Sequence, residues 1–233
     1  MFKILSTFFG PLVAIETDIR ISQEILECGH WEFQDTLKIV SIYEHYFRNC
    51  QGLMLDIGCN IGAWTLPLAH RYSQNTILAF DCQPLVIDCI NQTVRLNQLN
   101  NVTAQCCAVS DQCSQVVYNK IDYKWGANFG AYEFEAPYAN SDFNGRTTND
   151  ADVISTLTID SMNLERVVFI KLDIEGMEYK ALQGAKDTIQ RCRPFIVFEH
   201  HKTDRKGAED FCRNLNYRLL NTVGQMSLAV PKL

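Results

Sequence analysis

The sequence lacks a basic excess, a long apolar run and any paired-cysteine motif, and each absence removes a class of protein. Its 21 Lys and Arg are outnumbered by 27 Asp and Glu, a net charge of −6. That balance argues against a broad nucleic-acid surface. No stretch approaches the roughly 20 apolar residues of a membrane-spanning helix. Met1 to Ile15 is apolar, but Ser6, Thr7, Gly10 and Pro11 interrupt it, and Glu16 and Asp18 follow at once. With Lys3 as its one basic residue and no small-x-small cleavage site, it reads as a packed segment, not a targeting signal. None of the ten cysteines shows C-x-x-C spacing, so a zinc site has no support. The cysteine content is also too low for a disulfide scaffold, and several thiols sit in apolar runs as small hydrophobes. A reducing, cytoplasmic compartment is the expectation.

What is present is enough apolar side chain for a full core. At 233 residues and 47% hydrophobic, a compact chain buries roughly 70% of its unfolded surface without metal or disulfide staples. No repeat, low-complexity tract or Pro/Gly/Ser linker divides it, so one domain is expected. Leu53 to Ile57, Thr76 to Phe80, Val102 to Val109, Val167 to Leu172 and Phe195 to Phe198 read as strands. Helical patterns occupy Ala63 to Tyr72, Pro84 to about Asn97, Tyr179 to Arg191 and Asp204 to Leu215. Pro84 suits a first helical turn because it needs no amide hydrogen there. Tyr217 to Leu220 and Ser227 to Val230 can close the chain as a hairpin.

Several of the strands are apolar without alternation, the mark of a sheet covered on both faces. Strand-helix alternation makes that sheet doubly wound and mostly parallel. Ligands of such sheets bind beyond the carboxyl ends of the strands, where Asp56, Asp81, Asp173 and Glu199 fall. The stretch of about residues 110–154 breaks the pattern with Trp125, Asn128, Phe129, Tyr132, Phe134 and Tyr138. It is expected either to cover the ligand face or to form a surface hairpin.

The strongest local motif is Asp56-Ile57-Gly58-Cys59-Asn60-Ile61-Gly62 at a strand-to-helix turn. Its glycines let backbone approach a ligand closely. The spacing is G-x-N-x-G, so the dinucleotide pattern G-x-G-x-x-G is absent. Asp81 ends the next strand, roughly twenty residues on, where a carboxylate can accept both hydroxyls of a ribose. Glycine turn and acid together point to a bound nucleoside.

At these residues the chain resembles a family. Asp56-x-Gly58-x-Asn60-x-Gly62 followed by Ala79-Phe80-Asp81 is similar to the S-adenosylmethionine site of class I methyltransferases. Lys171-Leu172-Asp173-Ile174-Glu175-Gly176-Met177-Glu178, then Leu182-x-Gly184-Ala185, resembles the signature of FkbM-type methyltransferases. Glu27-x-Gly29-x-Trp31-Glu32, Ala108-Val109-Ser110-Asp111 and Thr156 to Asp160 extend the likeness from about Ile19 to Pro231. It implies a seven-stranded Rossmann-like sheet with a C-terminal antiparallel hairpin and an insertion between the third and fourth strands. Residues 1–50 would form an N-terminal cap or entry segment, and residues 51–233 the methyltransferase domain.

The resemblance also implies roles. Gly58, Asn60 and Gly62, with Cys59 in the same loop, would hold the methionine portion of the donor. Asp56 would shape that loop and orient the ammonium group. Asp81 would bind the ribose, Cys82 would sit beside the adenine, Ala108 and Val109 would flank it, and Asp111 would lie near its amino group. The chain departs from the family where Asp81-Cys82-Gln83-Pro84 replaces an acid followed directly by proline.

Three residues are candidates for the chemistry. Asp173 ends the central strand, where it can orient the substrate or act as general base; alternatively it caps the following helix. His200 and His201 follow Glu199 on the ligand face, and a histidine near neutral pKa suits proton removal from a hydroxyl. His30, in the entry segment, could cover the donor, whereas His45 and His70 fall on helices. Glu175 and Glu178 are expected to complement the helix dipole and Lys171 to pair with a neighbouring acid. The expected reaction is transfer of the sulfonium methyl to a hydroxyl of a sugar, polyketide or other small metabolite, with no nucleic-acid partner and no metal. The alternatives are an NAD(P)-dependent oxidoreductase, a non-catalytic nucleoside-binding protein and an RNA methyltransferase.

Overall fold

The computed structural model describes residues 2–134 and 142–232, so Met1 and Tyr138 lie outside the described residues. The chain opens with an antiparallel hairpin, β1 (Phe2–Thr7) and β2 (Gly10–Ile15), then α1 (Ile21–Cys28) and α2 (Phe33–Tyr46). Strand-helix alternation follows: β3 (Leu53–Ile57), α3 (Thr65–Arg71), β4 (Thr76–Asp81), α4 (Pro84–Leu96), β5 (Val102–Cys106) and β6 (Ala108–Val109). The insertion carries β7 (Ser114–Ile121) and β8 (Thr147–Leu157). Then come β9 (Val167–Leu172), α5 (Glu178–Gln183), α6 (Lys186–Cys192), β10 (Phe195–Glu199), α7 (Arg205–Asn214), β11 (Tyr217–Leu219) and β12 (Met226–Pro231).

Seven strands form one sheet in the order β11-β12-β10-β9-β3-β4-β5. The five from β10 to β5 are parallel, and β12 runs antiparallel to both of its neighbours. The expected doubly wound, mostly parallel sheet with a closing hairpin is therefore the observed one. The missing alternation has a simple cause. Leu55, Ile57, Ile170, Leu172, Ile196 and Phe198 pack under α5, α6 and α7, while Met54, Ile77, Phe169 and Val197 pack against α2 and α3. Both faces are covered, so both need apolar side chains.

The N-terminal segment packs as expected, in the form of the hairpin. Leu5, Leu12, Val13 and Ile15 are buried against α4, each contributing about 1.5–3 kcal/mol of burial. Side chains tie the two together: the Thr93 hydroxyl accepts from Val13 N–H (2.9 Å), and the Asn97 amide donates to the Pro11 carbonyl (2.6 Å).

Two expected elements are broken. The strand expected over Val102 to Val109 stops at Cys106. Cys107 N–H bonds the Asp81 carbonyl, and Ala108–Val109 joins a second sheet of order β6-β8-β7. The helix expected over Tyr179 to Arg191 divides at Gly184 and Ala185. There the Ser110 carbonyl lies 2.1 Å from where a Cβ on Gly184 would be, so only glycine allows the contact.

The insertion is both a hairpin and a cover. β7 and β8 pair antiparallel with Val117 and Val153 exposed on their outer side. Between them, Tyr123, Phe129, Tyr132 and Phe134 fold back onto the hairpin-α4 core. Among the described residues no helix is long and apolar enough to cross a membrane.

Candidate active site

The carboxyl ends of β3, β4 and β9 meet at Gly58. Its φ is +77°, and a Cβ there would stand 1.8 Å from the Asp173 carbonyl oxygen. Glycine is thus required both by conformation and by the crossing of two loops. Gly58 and Cys59 donate their N–H groups to the Phe80 carbonyl at 2.8 and 3.0 Å, tying the loop to β4. Asn60 is also left-handed, at φ +47°. Its N–H donates to Asp81 (3.1 Å), and its side-chain oxygen accepts from Ile61 N–H (2.7 Å).

Asp81 is the fixed point of the second loop. Its other oxygen accepts from Gln83 N–H at 2.9 Å. Burial pushes its carboxyl up to about 6, with the two backbone donors opposing. Gln83 in turn anchors the insertion: its amide donates to the Phe129 carbonyl (2.8 Å) and its oxygen accepts from Tyr123 (2.9 Å).

Below the glycine turn lies a buried ion cluster. Lys171 is 1% exposed and contacts Asp56 (3.2 Å), Asp173 (3.4 Å) and the Gly58 carbonyl (3.2 Å). Burial pulls the ammonium down, but the two carboxylates outweigh it and its pKa is raised. Asp56 also accepts from the Thr65 hydroxyl at 2.6 Å. Asp56 is fully buried beneath the turn, so it shapes the loop from behind.

Two connected spaces open above this base. A narrow apolar slot of about 50 Å³ lies between Phe80, Cys82, Ala108, Val109, Tyr132 and Phe134. A larger cavity of about 420 Å³ has Cys59, Asn60, Trp64, Asp173, Glu199 and His201 in its wall. Gly58, Asp81, Gly130, Asp173 and Glu175 line both. Slot and cavity are one site.

The structure brings together Gly58, Cys59, Asn60, Asp81, Cys82, Ala108, Val109, Asp173 and His201. Gly62 packs on Ile90 and Asp111 is exposed beside Ser110, so neither is in these walls. His200 turns away to share a 3.1 Å hydrogen bond with Ser227, and burial lowers its pKa. His30 stacks on Phe33 at 4.0 Å between ring centres, outside the walls of slot and cavity. Asp173 does not cap α5, whose N-cap position is Met177 with no side-chain capping bond. The buried carboxylate of Glu178 instead holds the loop before the helix, accepting from Ile174 N–H (2.7 Å) and Gly176 N–H (3.1 Å). Glu175 pairs with Lys202 at 2.5 Å.

Sequence reasoning missed Trp64, Lys202 and the cavity role of Glu32. Burial, then the charge of Asp173, pushes Glu32 up to about 7; burial, opposed by Lys202, takes Glu175 to about 7. Burial, then Asp173, takes Glu199 to about 9. These folded pKa values exceed the unfolded ones, so the folded state binds more protons. That stabilisation is complete below about pH 4 and is lost as pH rises toward 9. The melting temperature of the unliganded protein is therefore expected to fall between pH 6 and 9; a flat or rising profile would contradict the assignment.

A sheet of this order, with a slot and a cavity at its carboxyl ends, defines a Rossmann-like fold with its ligand site in the expected place. Residues 56–219, well over half of the chain, match the family model described as Methyltransferase FkbM domain. The chain belongs to the FkbM methyltransferases. It is 27% identical over 145 residues to Methyltransferase 1 of Beauveria bassiana (strain ARSEF 2860), covering 58% of each protein. It is 26% identical over 156 residues to methyltransferase sdnD of Sordaria araneosa, covering 58% of this chain and 60% of that one. The matches thus span less than two thirds of these relatives. The crystal structure of methyltransferase FkbM from Methylobacillus flagellatus KT shares the fold, at 16% identity and a TM-score of 0.54. That match covers 81% of this chain and 47% of the other.

Proposed function

We propose that the protein transfers the methyl group of S-adenosylmethionine to a hydroxyl oxygen of a small-molecule acceptor such as a sugar or polyketide. The observation that carries this reading is Asp173, a carboxylate held by Lys171 where the nucleoside slot opens into the larger cavity. The residues present fit the donor. Asp81 is buried, each oxygen accepts one backbone N–H, and lone pairs remain for a ribose diol. The slot walls of Cys82, Ala108, Val109 and Phe134 suit a flat base. Gly58 and Asn60 shape the loop for the methionine portion, with Asp56 and Gly62 acting through that loop.

When bound, the sulfonium supplies an already reactive methyl group. The protein's part is alignment, water exclusion and removal of one proton. Asp173 accepts the hydrogen bond of the attacking hydroxyl and takes its proton, directly or through His201 at the rim. Lys171, 3.4 Å away, holds Asp173 in place. The insertion closes the slot through Gln83, Tyr132 and Phe134. A reducing, cytoplasmic setting is part of this reading, supported by ten cysteines that are all free thiols.

Asp81→Ala is expected to weaken S-adenosylhomocysteine binding by about 1–3 kcal/mol, the scale of lost charged hydrogen bonds. Unchanged affinity in calorimetry would remove the ribose assignment. The acceptor class is tested by a screen of sugar and polyketide alcohols, with the new methyl located by mass spectrometry. Methyl found on oxygen supports the reading; methyl found only on nitrogen or carbon overturns it.

A further inference from the structure

The wall of the cavity away from the slot combines Glu32 and Asp35 at the start of α2, Glu199 at the end of β10, and Val223 and Gly224 before β12. Its basic side chains are already engaged. Lys171 holds Asp56 and Asp173, Lys202 holds Glu133 and Glu175, and Arg20 lies over the Trp31 ring at 5.1 Å. Among the described residues, Glu32 and Glu199 have no ion-pair partner. Glu32 is also left-handed, at φ +46°, where it precedes α2 without a capping hydrogen bond. Such strain in a non-glycine residue is characteristic of functional sites.

A separate observation points to a ligand. Trp64 lines the same cavity, is 3% exposed, and its indole N–H has no hydrogen-bond partner among the described residues. One carboxylate oxygen of Glu199 is likewise buried and unpartnered. Orphaned buried polar atoms are uncommon in native proteins, and two on one cavity wall mark a place a ligand completes. Together they offer a donor and an acceptor, beside carboxylates short of a cation and within an aromatic frame of Trp31 and Trp64.

Resting on the methyl-transfer reading, we propose that the acceptor is an amine-bearing polyol. Its protonated amine is held by Glu32 and Glu199, and a hydroxyl is presented to Asp173. A neutral polyol gives these acids no counter-charge with which to ionise, and an anionic acceptor opposes their ionisation further. An ammonium group relieves both and can also use the aromatic faces. Burial and the charge of Asp173 already hold Glu32 and Glu199 above the usual carboxylate range, so the wall lacks a counter-charge for their ionised forms.

The test is calorimetry on the protein saturated with S-adenosylhomocysteine, using isosteric pairs: glucosamine against glucose and galactosamine against galactose. The amines are expected to bind about tenfold or more tighter, the scale of a charge-assisted hydrogen bond. In Glu32→Gln and Glu199→Gln that ratio is expected to collapse toward unity, with S-adenosylhomocysteine binding showing that each variant is folded. Equal binding of the neutral sugars overturns the proposal. So does absence of amine binding at about ten millimolar, or an unchanged ratio in both variants. Failure to bind S-adenosylhomocysteine at all overturns the methyl-transfer reading together with it.

Discussion

Lys171→Met is expected to destabilise the protein by about 3–5 kcal/mol, the usual cost of removing one partner from a buried ion pair. Lys171 and Asp56 are both about 1% exposed in their side chains, and the lysine also reaches Asp173 and the Gly58 carbonyl. Without the ammonium, Asp56 keeps, among the described residues, the Thr65 hydroxyl as its side-chain partner while remaining out of water. The ion cluster also joins β3 to β9 at the point where the glycine turn crosses Asp173, so the site should loosen with the fold. Urea denaturation followed by circular dichroism measures the loss; a change below about 1 kcal/mol would place the lysine in contact with solvent. Adding Asp56→Asn to the lysine variant should return part of the stability, because the double variant no longer buries an unpaired charge at Asp56.

Asp173→Asn is expected to lower turnover by about a hundred- to ten-thousandfold, the range of general acid-base contributions. Asparagine keeps the size of the side chain but cannot accept the acceptor's proton. The helix after the loop should form unchanged, because Glu178, not Asp173, holds Ile174 and Gly176. S-adenosylhomocysteine affinity should stay within a few-fold of wild type. Wild-type turnover would leave Asp173 only as the partner of Lys171.

Much of the site could be read from the sequence because it is built at the ends of apolar runs. Asp56, Asp81, Asp173 and Glu199 each close a buried strand, and the strand order then gathers them on one edge of the sheet. The breaks were hidden because tertiary contacts cause them. Gly184 is interrupted by the Ser110 carbonyl, and β5 ends where Cys107 turns to Asp81. His200 and His201 differ because successive side chains at a strand end point to opposite sides, so only His201 meets the cavity. Glu32 was the hardest to place. It lies in the N-terminal part of the chain, and only the packing of α2 against the sheet carries it to the wall shared with Glu199.

Titration of the intact protein with S-adenosylhomocysteine, and separately with NAD, tests the central claim most directly. The account predicts saturable binding of S-adenosylhomocysteine, one molecule per chain, weakened in Asp81→Ala. Tight binding of NAD with none of S-adenosylhomocysteine would contradict it.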